Sequence, residues 1–104
     1  MKRVAFKMYL KQGCKEEYRK RHSKLWPEVA DLLKEAGIRD YSIFLDERTH
    51  ILYAVQSLEG DAGSQELGQH AIIRKWWHHM ADIMEVNPDN SPVTEPLEEM
   101  FYLK

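Results

Sequence analysis

The sequence has almost no cysteine, since Cys14 is the only one among 104 residues. A single cysteine forms no intrachain disulfide and cannot build a thiolate metal cluster. Long apolar runs are also missing: no stretch approaches the ~20 apolar residues that span a bilayer. The N-terminal residues lack the apolar core of a signal peptide. We therefore expect a cytoplasmic protein with no membrane partner.

An excess of charge of either sign is absent as well. Lys and Arg number 15 and Asp and Glu number 17, which gives a formal net charge of −2. Nucleic-acid-binding proteins concentrate basic residues into a patch, whereas the basic residues between positions 15 and 24 are interleaved with Glu16 and Glu17. This pattern indicates a solvated helix face, and we expect no nucleic-acid partner.

The sequence contains no glycine-rich phosphate loop, no P-loop and no Gly-x-Ser-x-Gly nucleophile turn. Three histidines near one another suggest a metal site: His70, His78 and His79. However, His78 and His79 are adjacent on a helix and point to different sides, and no further ligand stands at a matching spacing. We predict no metal and no cofactor. Cofactor-free acid–base chemistry is then the best enzyme class.

Hydrophobic periodicity predicts the order β-α-β-β-α-β within one domain, residues 1–104. Period two marks strands at 4–10, 41–45 and 51–55, and the polar run 46–49 joins the last two at hairpin length. Spacings of three and four mark a helix at 15–36, which Pro27 kinks or divides at Trp26. A second helix runs to Met84, capped by Ser64 or starting later because Gly68 weakens its early part. Residues 100–103 are predicted as the last strand.

This order is typical of an α+β fold, the ferredoxin-like βαββαβ sandwich, with one antiparallel sheet and two helices on one face. We assign Ala5, Ser42, Phe44, Leu52 and Ala54 to the other face of the sheet, which is then too apolar to face water. A second subunit covering that face is the natural solution, so we expect a homodimer.

His22 lies on the inward stripe of the first helix, which is otherwise apolar. An imidazole titrates near neutrality and can donate or accept a proton. Tyr18, four residues earlier, shares its helix face, and together they can bracket a hydroxyl-rich ligand. The residues alone slightly favour a simpler interpretation, in which His22 is a core-edge histidine with one backbone hydrogen bond and Tyr18 packs with its hydroxyl in water.

Trp76 and Trp77 are adjacent on the second helix. Successive helical residues diverge by about 100°, so one indole can line a cavity while the other braces it. Indole faces attract the C–H-rich faces of sugars, and each N–H can donate to a hydroxyl. Core filling explains one tryptophan more readily than two in so small a domain. Tyr41, at the start of the second strand, can reach the same cavity or cap the sheet edge.

Four motifs follow one another along the chain: Tyr18-x-x-x-His22-x-x-x-Trp26-Pro27-Glu28, Trp76-Trp77, Asn87-Pro88-Asp89-Asn90-Ser91-Pro92 and Phe101-Tyr102-Leu103. Together they resemble the L-rhamnose mutarotase family over essentially the whole chain. The resemblance implies a homodimer of the dimeric α/β-barrel type and an isomerase that interconverts the α and β anomers of L-rhamnose, a six-carbon deoxy sugar. It also implies site roles: His22 as the proton donor, Tyr18 and Tyr41 as substrate contacts, and Trp76 and Trp77 as the pocket wall.

Two other functions are open at this point. A dimeric α/β-barrel monooxygenase, cofactor-free or haem-handling, uses the same fold with a helix-borne histidine. A non-catalytic sugar-binding module keeps the pocket without accelerating any reaction. Oxygen uptake with a quinol or a haem Soret band would favour the first, and sugar binding without faster anomer exchange would favour the second. The loop at 87–92 is our candidate for a lid.

Overall fold

Four antiparallel strands and three helices form the structure, a computed structural model that describes all residues from 1 to 104. The strands are β1 (Lys2–Tyr9), β2 (Ile38–Asp46), β3 (Ile51–Leu58) and β4 (Glu95–Leu97), and the helices are α1 (Lys15–Ser23), α2 (Pro27–Glu35) and α3 (Ala71–Met80). Short 3₁₀ turns occupy Ser64–Glu66 and Ala81–Ile83. The strand order across the sheet is β2-β3-β1-β4. None of the helices has the length and apolar character that crossing a membrane requires.

The helical segment at 15–36 is divided into two helices at the position predicted from Pro27. Pro27 is the first residue of α2, where its missing N–H costs no helical hydrogen bond. Trp26 before it has extended backbone angles, as the steric demand of the following proline ring dictates. Helix α1 has already ended at Ser23. Tyr18 and His22 therefore belong to a short helix of their own.

Helix α3 begins only at Ala71, which confirms the late start predicted from Gly68. His70 is the residue that precedes the helix, so the prediction of Ser64 as the cap was wrong. Ser64 is buried in the first 3₁₀ turn. Its hydroxyl and backbone N–H both bond to the Gln56 side chain, so Ser64 is tied to the sheet and not to the helix.

The face of β3 that packs under the helices is opposite to the one predicted. Leu52 and Ala54 are 1% and 0% exposed, so their assignment to the open face was wrong. Strand β3 is apolar on both faces, and period two alone therefore could not determine its phase. The register of the hairpin determines this phase. It pairs Leu52 with Leu45, which faces the helices, so Leu52 faces them too. The residues that lie on the open face instead are Ile51, Tyr53 and Val55.

The last strand is β4 at Glu95–Leu97, so the prediction of a strand at residues 100–103 was wrong. Its three residues pair with the middle of β1. Beyond it, Phe101 is 79% exposed and Leu103 is 80% exposed. These apolar side chains have no surface to pack against within one chain. Two residues of this segment contact Arg3: the Tyr102 ring lies 4.3 Å from its guanidinium in a cation–π contact, and Glu99 forms an ion pair with it at 3.4 Å.

Candidate functional site

A cavity of about 750 Å³ lies between the helices and the face of the sheet that they cover. Its size is within the usual range for small-ligand sites. Most of its lining is apolar. The structure brings together in this one cavity all five predicted site residues: Tyr18, His22, Tyr41, Trp76 and Trp77.

His22 and Tyr18 lie one turn apart on α1 and stack face to face, with ring centres 4.2 Å apart. The Nδ1 atom of His22 lies 3.1 Å from the backbone carbonyl oxygen of Tyr18. A carbonyl can only accept, so Nδ1 carries a proton and Nε2 is left for other partners. Burial lowers the pKa of His22, an effect that exceeds the opposing effect of this hydrogen bond. The imidazole is therefore neutral near pH 7, with a free lone pair on Nε2.

The two tryptophans of α3 have different neighbours. Trp76 points its ring toward His22, edge to face, with the centres 5.5 Å apart, and it makes a similar contact with Trp26 at 5.1 Å. The ring of Trp77 lies against Gly68, where an added Cβ would stand 2.9 Å from Cη2 and Cζ3. Both indoles are about nine-tenths buried. Trp76 is thus the wall nearest the histidine, and Trp77 is braced by the loop before α3.

Two phenols share the cavity with the histidine. Burial raises the pKa of Tyr18, and the nearby Tyr41 raises it further. Burial likewise raises the pKa of Tyr41, although a hydrogen bond from Ser64 acts in the opposite direction. Both hydroxyls therefore keep their protons at neutral pH. They are available as neutral hydrogen-bond donors to a ligand oxygen.

Arg21, next to His22 on α1, ties that helix to the end of α3. Its Nη1 donates to the carbonyl oxygen of His79 at 2.6 Å and to Oδ1 of Asp82 at 2.8 Å, and its Nε donates to Glu17 at 2.7 Å. The guanidinium lowers the pKa of the Asp82 carboxyl by this contact. The Arg21 side chain is only 14% exposed. This clamp fixes α1 against α3 and so holds His22 beside the tryptophan wall.

Three polar residues of the cavity region were missed by the sequence interpretation: Gln56, Ser64 and Gln65. Gln56 is 1% exposed and bonds to Ser64. Ser64 and Gln65 line the cavity beside Tyr41. The only signal in the sequence was a glutamine on a strand of apolar residues. This glutamine indicates a buried polar group only once it is known which face of β3 points toward the helices.

The loop predicted as a lid reaches the cavity, and one of the surface histidines contacts that loop. The loop at 87–92 is closed by a hydrogen bond from the backbone N–H of Asn87 to the carbonyl oxygen of Ser91 at 2.8 Å, and Pro92 reaches the cavity lining. His78 is exposed and lies 3.2 Å from the amide nitrogen of Asn90. No group of three or more His, Cys, Asp or Glu side chains is arranged to hold a metal ion.

An aromatic cavity with a neutral imidazole and two protonated phenols is typical of a protein that binds a hydroxyl-rich small molecule and moves protons on it. A profile of the L-rhamnose mutarotase family matches residues 3–103. The chain belongs to the L-rhamnose mutarotase family.

Individual relatives are similar over their whole length. The L-rhamnose mutarotase of Bacteroides thetaiotaomicron is 59% identical over 103 residues, with 99% of both chains covered. That of Formosa agariphila is 56% identical over 104 residues, with 100% of both covered. A crystal structure of an L-rhamnose mutarotase from Formosa agariphila matches the fold with a TM-score of 0.93 at 53% identity, covering 100% of both chains. The small α+β fold is therefore that of a known rhamnose mutarotase structure.

Proposed function

We propose that this protein interconverts the α and β anomers of L-rhamnose by cofactor-free acid–base catalysis, with His22 as the proton carrier. The observation that carries the proposal is a histidine in an aromatic cavity whose Nδ1 is held by a backbone carbonyl, which leaves Nε2 free. Relatives that match over the whole chain are L-rhamnose mutarotases, which supports the choice of sugar. We place this activity in residues 1–104 as one domain, and in the cytoplasm, where a free Cys14 is ordinary.

The proposed reaction needs one proton to move between two oxygens of the same carbon. Nε2 of His22 takes the proton of the C1 hydroxyl, the C1–O bond of the ring breaks, and its electron pair goes to the ring oxygen. The ring oxygen then takes the proton from Nε2, which gives the open-chain aldehyde. Rotation about the C1–C2 bond and reversal of these steps close the ring on the other face. The proton-donor role of His22 is thus the second half of each transfer.

The remaining four site residues bind the sugar in this proposal. Tyr18 and Tyr41 donate their O–H groups to sugar oxygens, because their raised pKa values keep them protonated. Trp76 and Trp77 offer apolar faces to the C–H groups of the ring and to the C6 methyl group. We assign Tyr18 to binding and not to proton transfer, since the raised pKa makes it a weak acid at neutral pH.

The test is magnetisation transfer between the two anomeric C1–H signals of L-rhamnose in the presence of the purified protein. We expect exchange well above the buffer rate with L-rhamnose and slower exchange with L-fucose, D-galactose and D-glucose. Binding without faster exchange would instead favour a sugar-binding module. Oxygen consumption with a quinol, without anomer exchange, would favour a monooxygenase.

We also propose that the fold is a ferredoxin-like sandwich that dimerises through the open face of its sheet, in the manner of a dimeric α/β-barrel. The strand order β2-β3-β1-β4 supports the ferredoxin-like topology. The open face carries Phe44, which is 65% exposed, beside its cross-strand partner Tyr53. Val55 and Ala5 pair next to them. A contiguous apolar patch of this kind favours a partner surface, and a second copy presents the same patch in a two-fold interface.

Phe44→Glu is expected to convert the dimer to a monomer, because it would bury two carboxylates in an apolar interface. Sedimentation velocity at one protein concentration measures the change. Thr49→Glu, at an exposed turn of the same hairpin, is the matched control and should leave the dimer intact. A wild-type protein that sediments as a monomer, or a dimeric Phe44→Glu variant, would contradict this interface.

A further inference from the structure

A small polar network surrounds Ser64, one of the residues that line the mostly apolar cavity. The backbone N–H of Ser64 donates to Oε1 of Gln56 at 2.8 Å. This bond fixes the orientation of the Gln56 amide, because an N–H needs the oxygen as its acceptor. Nε2 of Gln56 therefore faces the Ser64 hydroxyl and donates to Oγ at 2.9 Å. With Gln56 only 1% exposed, the pair is locked in place.

The hydrogen bonds around Ser64 Oγ determine whether Tyr41 donates or accepts in its own bond to that oxygen. A serine hydroxyl has two acceptor positions and one proton. Nε2 of Gln56 and Nε2 of Gln65, at 2.9 and 3.2 Å, fill the acceptor positions. The proton of Ser64 is then left for the phenol oxygen of Tyr41 at 3.4 Å. Tyr41 accepts in this bond, so its own O–H proton is available for a ligand.

Gln65 supplies a hydrogen-bond acceptor that complements the Tyr41 donor. Its Oε1 atom is buried and has no hydrogen-bond partner within the chain, although the residue lines the cavity. Buried carbonyl oxygens are almost always paired in native proteins, and an exception calls for an explanation. A ligand hydroxyl supplies one. The nitrogen of the same amide and the Tyr41 hydroxyl both bond to Ser64 Oγ, so the free donor and the free acceptor are anchored to one serine oxygen.

We infer that Tyr41 and Gln65 together recognise one hydroxyl group of the sugar, with Gln56 and Ser64 as positioning residues. The Tyr41 O–H donates a hydrogen bond to the oxygen of this sugar hydroxyl. The sugar hydroxyl in turn donates a hydrogen bond to Oε1 of Gln65. This inference rests on the proposed function, and it adds Gln65 to the residues that determine specificity. A sugar that lacks the hydroxyl, or holds it in the opposite configuration, leaves two buried polar groups unpaired. Sites built in this way reject such analogues strongly.

The test compares L-rhamnose with its monodeoxy analogues in the wild type and in Gln65→Met, which keeps the side-chain length but lacks the amide. In the wild type we expect kcat/KM to fall at least about tenfold for one analogue. In Gln65→Met we expect the KM for L-rhamnose to rise by about the same factor with kcat nearly unchanged, since the lost contact is equally strong in ground and transition states. The preference for L-rhamnose over that analogue should shrink, because only the Tyr41 contact with the hydroxyl remains.

Gln69→Met is the matched control, because Gln69 is exposed in the same loop; it should behave as the wild type does. Ser64→Ala tests the positioning role and should weaken the same preference while leaving the others intact. A Gln65→Met variant that discriminates as the wild type does would overturn the inference. If that variant fails to fold, a wild type that treats all the deoxy analogues equally would overturn it as well. Absence of anomer exchange in the wild type with any sugar would instead refute the proposed function.

Discussion

His22→Gln is expected to slow anomer exchange by about 10²–10⁴-fold, the usual contribution of a positioned general acid–base group. Glutamine is a neutral polar residue of similar length, and its amide nitrogen can take the place of Nε2 of His22. It has no group that takes up a proton near neutral pH. The variant should therefore fold and bind L-rhamnose with little change. Magnetisation transfer gives the exchange rate, and perturbation of the sugar signals gives the binding.

The matched control is His78→Gln, which alters an exposed histidine on α3 that lines no part of the main cavity. Its exchange rate should equal that of the wild type. A folded His22→Gln variant with undiminished exchange would remove His22 from the proton-transfer step. Loss of sugar binding in step with loss of exchange would assign His22 to binding alone.

The pH dependence tests the same role independently. The imidazole must be neutral to accept a proton, and burial lowers its pKa below the ordinary value of about 6.5. After subtraction of the buffer reaction, kcat/KM should stay constant as the pH falls from 8 through about 6.5 and decline only at lower pH. Because the pKa of His22 is lower in the folded protein than in the unfolded chain, the folded protein binds fewer protons below about pH 6.5. Its free energy of unfolding should therefore decrease as the pH falls below about 6.5, and His22→Gln should remove that part of the decrease. A rate that already declines near pH 7.5 would contradict a buried neutral base.

Local sequence signals predicted the parts of the fold that local sterics control. Pro27 predicted the division between α1 and α2, and Gly68 predicted the late start of α3. The shared face of Tyr18 and His22 followed from helical spacing alone. Their meeting with Trp76 depends on packing between helices, which periodicity does not contain; the motif resemblance supplied it.

Features that depend on pairing partners were not accessible in the same way. Strand β3 is apolar on both faces, so the burial of Leu52 and Ala54 depended on the hairpin register and not on their own pattern. Gln65 had no distinguishing signal at all. The role we propose for it comes from a buried, unpaired oxygen and from the bond of its amide nitrogen to Ser64, which also bonds to Tyr41. This arrangement exists only after loop and sheet have come together.

Trp77→Ala is expected to lower the free energy of unfolding by about 3–5 kcal/mol, the range for removing a large aromatic side chain from a core. Trp77 is 8% exposed and belongs to the main core cluster. The loss is a large share of the 5–15 kcal/mol typical of a domain. Urea unfolding followed by far-ultraviolet circular dichroism measures it. A loss below about 1 kcal/mol would show that the surrounding structure closes over the vacated space.

The contact between Trp77 and Gly68 can be measured separately by a double-mutant cycle. Gly68→Ala alone should cost about 1–3 kcal/mol, because its Cβ would stand 2.9 Å from two ring carbons of Trp77. Trp77→Phe removes the outer indole ring atoms and makes room for that methyl group. In its background Gly68→Ala should cost little or even stabilise, since alanine restricts the unfolded chain and Gly68 has no positive φ. Costs that add within about 0.5 kcal/mol would show that the loop does not brace the tryptophan. A strong coupling would show that the loop before α3 sets the position of the cavity wall.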